Sequence, residues 1–259
     1  VAGFQPRFNV AMTNDIATLI WLLGAFLLAG LVKGVTGMGL PTVAMALLGA
    51  LYSPVVAAAL LIVPSLITNI WQFLKGGYHW HVLSRFFSMM LGIPVGAFLG
   101  APLLSQLDAD WAAFSLGSAL MLYSIYSFWA PVINILPKYE SWLSPIIGLL
   151  TGWITGATGV FVLPAVPYLQ ALGIERNELI QALGLSFTVS TLALLSSLAV
   201  QHSLETVHLT LSLYAVLPAL AGMWLGSLIR SRISTVQFRC WFLLTLSLLA
   251  VDLMSRPFR

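Results

Sequence analysis

The chain has 259 residues, of which 59% are apolar and only 7% charged, with a formal net charge of +3. An ordinary soluble domain carries about 25% charged residues, so this composition excludes a soluble globular protein and predicts an integral membrane protein. The few charges fall in short polar gaps, where they bear on membrane orientation; the lipid bilayer is an expected partner and nucleic acid is not. The single cysteine, Cys240, excludes an intrachain disulfide.

Residues 1–15 read as a short, poorly ordered tail, and the run after them lacks the basic leader and small-residue exit site of a cleavable signal peptide. A full membrane span needs about 20 apolar residues. Ile16 to Val32 is a run of 17, ended by Lys33 and the glycine-rich stretch Gly34-Val-Thr-Gly-Met-Gly-Leu-Pro41. Leu40 to Leu51 follows and is too short to span alone, so the pair predicts a helical hairpin meeting at its tip. Val55 to Leu74 is a full helix carrying Ser65, Thr68, Asn69 and Gln72. Leu83 to Leu104, with Gly92, Gly96 and Gly100 at four-residue spacing, and Trp111 to Ile135 complete the first half.

The second half repeats this plan. Gly34, Thr36 and Gly37 fall on Gly156, Thr158 and Gly159 at a shift of 122, and Gly96 and Gly100 on Gly222 and Gly226 at a shift of 126. Its helices read Trp142 to Thr155, Val160 to Leu172, Leu179 to Val200, Thr206 to Ile229 and Phe238 to Leu253. The expected fold is all-α and polytopic, one membrane domain over 1–259 with repeats at 16–136 and 142–254. Each repeat has a broken, re-entrant hairpin plus three transmembrane helices.

Loop charges predict that the repeats are inverted. Lys75 and Arg85 flank one first-half loop and Asp108 and Asp110 occupy the next; the second half reverses this, with Glu205 at 201–206 and Arg230, Arg232 and Arg239 at 230–239. Loop 131–141, with Lys138, is then cytoplasmic and both termini lie outside, although Arg256 and Arg259 argue against the latter.

Three glycines within six residues, followed by proline, weaken a helix. A helix broken inside hydrocarbon leaves backbone groups that protein, water or a ligand must satisfy. Gly34, Gly37, Gly39, Gly156 and Gly159 are therefore read as walls of a polar site, whereas Gly92, Gly96, Gly100, Gly222 and Gly226 are read as helix-packing seams. Free amides at half-helix ends suit an anion. Thr36 and Thr158 would add hydroxyls from the two copies, with Thr155 beside the second. Asn69 and Gln72 would add amides from the next helix, and Ser190 and Thr191, the equivalents of Thr68 and Asn69, keep that polar character. Lys33 is the only charged residue within 16–74 and carries two readings: it neutralises substrate charge at the hairpin tip, or it snorkels to the surface.

His79, His81, His202 and His208 are read with Tyr78 and Trp80 as part of the aromatic interface belt, so no metal or cofactor is expected. No Ser-His, paired-carboxylate or His-Glu arrangement suggests an enzyme. Glu140, Glu175, Glu178 and Glu205 fall near predicted helix ends, which gives no support for coupling through a buried acid. An inside-negative potential drives an anion outward by about 2.3 kcal/mol per charge per 100 mV.

The stretch Leu31-Val-Lys-Gly-Val-Thr-Gly-Met-Gly-Leu-Pro41, followed by Pro64-Ser-Leu-Ile-Thr-Asn-Ile-Trp-Gln72, resembles the TauE/SafE family of sulfite-exporter-like permeases, a similarity covering nearly the whole chain. The resemblance implies transport of a small sulfur-containing or organic anion, such as sulfite, a sulfonate or sulfoacetate, across the bacterial inner membrane. Many members carry a longer glycine run where this chain has Met38, Leu40, Val160 and Phe161, so the substrate does not carry over. Two other readings stay open: a non-transporting membrane anchor or assembly subunit, and an anion channel. Gly-x-x-x-Gly runs leave a homo-oligomer open as well.

Overall fold

The computed structural model describes residues 16–75, 77–129, 134–204, 206–230, 232 and 234–259; the expected tail at 1–15, Glu205 and the His208 side chain lie outside the described residues. Among these residues the chain forms helices and no strand. In order they are α1 (Ile16–Thr36), α2 (Leu40–Leu51), α3 (Pro54–Leu74), α4 (His79–Arg85), α5 (Phe87–Ser105) and α6 (Ala109–Trp129), then α7 (Pro137–Thr158), α8 (Ala165–Ala171), α9 (Arg176–Val200), α10 (Thr206–Tyr214), α11 (Val216–Ile229) and α12 (Thr235–Ser255). Seven described segments are long and apolar enough to cross a bilayer, which makes this a polytopic all-α membrane protein.

Local chemistry sets the helix ends. Ser53 accepts the Val56 N–H at 3.4 Å with Pro54 in the first helical position, so α3 starts there. Pro137 opens α7 without a side-chain cap, five residues before the expected start at Trp142.

Several expected boundaries are corrected. α1 does not end at Val32; it carries Lys33 and Gly34 within the helix to Thr36. One helical glycine costs only about 1 kcal/mol, which tertiary packing overrides. The break falls instead at Gly37 and Gly39, with φ of +81° and +103°. The second break begins at Gly159, φ +71°, and its return limb is not a helix over 160–172: residues 160–164 are non-helical and α8 is seven residues long. The expected helices 83–104 and 206–229 are each interrupted, at Phe86 and at Ala215. α6 stops at Trp129, and Ile135 lies outside any helix.

The helices lock through glycine. Gly30 and Gly34 of α1 face the carbonyls of Ala219 and Met223 on α11, while Gly222 and Gly226 of α11 face those of Leu27 and Leu31. α5 and α7 repeat the pattern: Gly92, Gly96 and Gly100 meet Pro145, Leu149 and Trp153, and Gly148, Gly152 and Gly156 meet Met89, Ile93 and Ala97. In both seams the register advances in the same direction along the two helices, so each pair is parallel. α3 packs on α9 and α6 on α12.

Side-chain contacts sort the helix ends into two groups. At one end Arg85 bridges Glu140 (2.7 Å) and Glu178 (2.9 Å), and Tyr78 donates to Glu175 (3.2 Å), joining α4 to the starts of α7 and α9. The Glu140 hydrogen bond raises the Arg85 pKa further, so the guanidinium stays charged. At the other end Gln106 donates to Gln201 (3.1 Å), and Phe258 packs edge-on to Trp111 and Phe114. Trp80 is 82% exposed beside His79, whose ring meets the Leu74 carbonyl at 3.0 Å.

A methyl group at Gly152 would lie 1.9 Å from the Ile93 oxygen, whereas one at Gly24 would meet nothing within 4 Å. Gly152→Ala should lower the apparent Tm in detergent by about 2–12 °C, from an overpacking cost of about 1–3 kcal/mol. Gly24→Ala should leave Tm unchanged or raise it slightly. Equal Tm values for the two variants would refute the seam.

Candidate functional site

The site is built on α3, one turn after Pro64. Proline has no N–H, so the Leu60 carbonyl four residues earlier loses its helical donor. Ser212 of α10 repairs the gap: its hydroxyl donates to the Leu60 oxygen at 2.7 Å and accepts the Val63 N–H at 3.1 Å. Beyond this point α3 turns Ser65, Thr68 and Asn69 inward, all fully buried.

Lys33 of α1 reaches this cluster. Its Nζ donates to Thr68 Oγ1 at 3.1 Å and to Asn69 Oδ1 in a short contact, and the residue is only 2% exposed. The surface-snorkelling reading is therefore overturned, because α1 continues past Lys33 and packs it against α3. Among the described residues no carboxylate forms an ion pair with it. Asn69 Nδ2 in turn donates to Ser65 Oγ (2.9 Å), and Ser65 shares a hydrogen bond with Thr191 Oγ1 (3.1 Å). A polar string, Lys33–Asn69–Ser65–Thr191, thus runs from α1 through α3 to α9.

The other expected site residues are distributed as follows. Gln72 Nε2 donates to the Ile180 carbonyl at 2.9 Å, so it ties α3 to α9 instead of reaching Lys33. Ser190 is buried beside Thr191, and its hydroxyl, like those of Thr42, Thr151 and Ser186, has no hydrogen-bond partner among the described residues. Gly34 and Gly156 lie in the helix seams, where a methyl would sit 2.2 Å from the Met223 and Ala97 oxygens respectively. Gly37, Gly39 and Gly159 hold the breaks, and Gly159 faces Met45 of α2, so the second break touches the first hairpin.

The breaks are closed alike. Gly37 N–H donates to Lys33 O and Gly159 N–H to Thr155 O, each at 2.7 Å. The hydroxyl oxygens of Thr36 and Thr158 accept the N–H groups of Met38 and Val160, each at 3.2 Å. Both hydroxyls also meet the carbonyl four residues back, at 2.8 Å for Thr36 and 2.7 Å for Thr158. Thr155 donates to the Thr151 carbonyl at 2.7 Å. The threonines therefore serve the break itself, and Lys33 occupies the position that Thr155 has in the second copy.

The first break opens into a cavity of about 330 Å³ lined by Thr36, Met38, Tyr126, Arg176, Arg230 and Arg239, with α8 contributing Val166 and Gln170. Sequence reasoning used Arg230 and Arg239 only for orientation and did not single out Arg176. Three arginines spread over 64 residues carry no local motif; only the packing of α9, α11 and α12 assembles them.

Removing an acceptor of a buried charged donor costs about 2 kcal/mol. Asn69→Leu should therefore lower stability by about that amount, and adding Lys33→Met should recover most of the loss, because the donor is then gone too. Thermal unfolding of the two singles and the double checks this; additive losses would show that the two side chains do not depend on each other.

No curated protein and no solved structure gives a significant match. A family model described as Sulfite exporter TauE/SafE matches residues 22–253, spanning both hairpins, the α3 cluster and both glycine seams. A polytopic all-α membrane protein with that match over most of its length belongs to the sulfite exporter TauE/SafE family, a family of membrane transporters.

Proposed function

We propose that this chain is an inner-membrane permease that exports a small oxyanion, sulfite or a related sulfonate, past the polar cluster at Lys33. The observation that carries the reading is the Lys33 amine, buried within the membrane-spanning helices with two neutral oxygen acceptors and no acidic partner among the described residues. An ionisable group inside a bilayer is expensive and marks a pathway or binding role. A structural lysine would be expected to bring a carboxylate. A lysine ammonium has three donors, two of which go to Thr68 and Asn69, leaving one for an oxyanion.

The paired breaks support alternating access by an inverted repeat. α1 runs parallel to α11 and α7 parallel to α5, and the matching hydrogen bonds at Gly37 and Gly159 relate the two hairpins. α11 ends beside the arginine-lined cavity, and α7 starts at the Arg85–Glu140 cluster. The hairpins therefore enter from opposite sides, with the basic end cytoplasmic under the positive-inside rule. A membrane anchor would have no use for a buried lysine, and a channel would differ from a carrier in failing to saturate.

The reading predicts that purified protein in vesicles moves sulfite outward faster when the interior is made negative, and that the rate saturates with sulfite. Sulfite should raise the wild-type Tm by mass action, and Lys33→Met should abolish both responses while remaining folded. Unchanged flux in Lys33→Met, or a rate blind to the imposed potential, would defeat the proposal.

A further inference from the structure

We infer that the cavity beneath the first helix break is a second anion site, a capture vestibule in which Arg176, Arg230 and Arg239 hold a small multi-oxygen anion before it reaches Lys33. The inference rests on the transport reading for the hand-over, and on the cavity itself for binding.

Three observations carry it. The first is convergence: the start of α9, the end of α11 and the first turns of α12 each bring one guanidinium to a single cavity. Its volume of about 330 Å³ is near the small end of ligand sites, which suits a compact oxyanion. The second is the lack of internal neutralisation. Among the described residues none of the three arginines forms an ion pair, and the carboxylate next to Arg176 in sequence, Glu175, is engaged by Tyr78. By contrast, Arg256 and Arg259 at the opposite end both pair with Asp252, at 4.0 Å and 3.0 Å. The third is positioning: Arg239 donates one N–H to the Ser127 carbonyl, which seats the guanidinium on the wall while its other donors stay available. Guanidinium forks match oxyanion geometry better than ammonium groups do.

The vestibule adjoins the pathway. Thr36 and Met38, on either side of Gly37, line it, and Thr36 lies three residues beyond Lys33, on nearly the same face of α1. α8 of the second hairpin closes the cavity from the other side, so both hairpins contribute to it. An electropositive concave mouth concentrates an anion before any step in the membrane. Acidic residues at the other end, Asp108 and Asp110, offer no equivalent. The transporter is therefore asymmetric, with a low KM for substrate presented on the arginine face.

The test uses the full-length protein and two measurements. In the first, arginine labelling by phenylglyoxal is followed by mass spectrometry in sulfate, sulfite or chloride at equal ionic strength. Sulfate and sulfite should slow labelling of Arg176, Arg230 and Arg239 several-fold relative to chloride, in wild type and in Lys33→Met alike. In the second, the triple variant Arg176→Gln/Arg230→Gln/Arg239→Gln is compared with wild type in oriented vesicles. Its KM for sulfite on the arginine face should rise about ten-fold or more, as expected for lost charge-assisted hydrogen bonds, with the maximal rate from that face and the opposite-face KM unchanged, so that the maximal rate from the opposite face falls in proportion. Labelling that is equal in all three salts, or a KM that does not change or changes equally from both faces, overturns the vestibule. Protection without any sulfite flux would leave the anion site standing and remove the transport reading; flux without protection would do the reverse.

Discussion

Inside a bilayer, every backbone N–H and C=O released by a helix break must find a partner in protein, water or a ligand, and the architecture depends on how that demand is met. At the first hairpin the Thr36 hydroxyl accepts the Met38 N–H; at the second, Thr158 does the same for Val160. On α3 the partner comes from another helix, where Ser212 donates to the Leu60 carbonyl left by Pro64 and accepts the Val63 N–H. Each repair allows irregular backbone deep in the molecule, beside which polar side chains can gather. The helix breaks and the buried cluster are thus two results of one constraint.

The seams hold the broken helices against their neighbours. Hydrophobic burial gives no net drive for helix association in lipid, so close backbone packing substitutes for it, and only glycine lets helices approach to the distances seen between α1 and α11 and between α5 and α7. Each seam joins a hairpin helix of one half to a spanning helix of the other. Moving one hairpin therefore drags a helix from the opposite half, a coupling suited to a rocking transporter. Gly34 and Gly156 belong to this framework, while Gly37, Gly39 and Gly159 hold the breaks.

Charge then distinguishes the two hairpins. Lys33 stands where the second hairpin has Thr155, so among the described residues only the first hairpin brings a lysine to the interior. At one end Arg85 is held by Glu140 and Glu178 and three further arginines face a cavity without an acidic partner among the described residues, whereas Arg256 and Arg259 at the opposite end pair with Asp252.

Much of this was legible in the sequence, because composition and proline-glycine chemistry act locally. Low charge and recurring apolar runs determined a polytopic helical protein, and the glycine stretches determined where two helices break. Lys33, Asn69 and Thr191 could be singled out as polar residues where hydrocarbon is expected. Tertiary structure alone decided the rest. Whether Lys33 snorkels or turns inward depends on α3 lying beside α1; whether Gly34 and Gly156 line a site or a seam depends on which backbone approaches them; whether Gln72 joins the cluster depends on the reach of Ile180. Arg176, Arg230 and Arg239 share no motif, and a cavity formed by the ends of separate helices has no signature along the chain. Backbone conformation is a property of a few neighbouring residues, but burial and partnership belong to the packed whole.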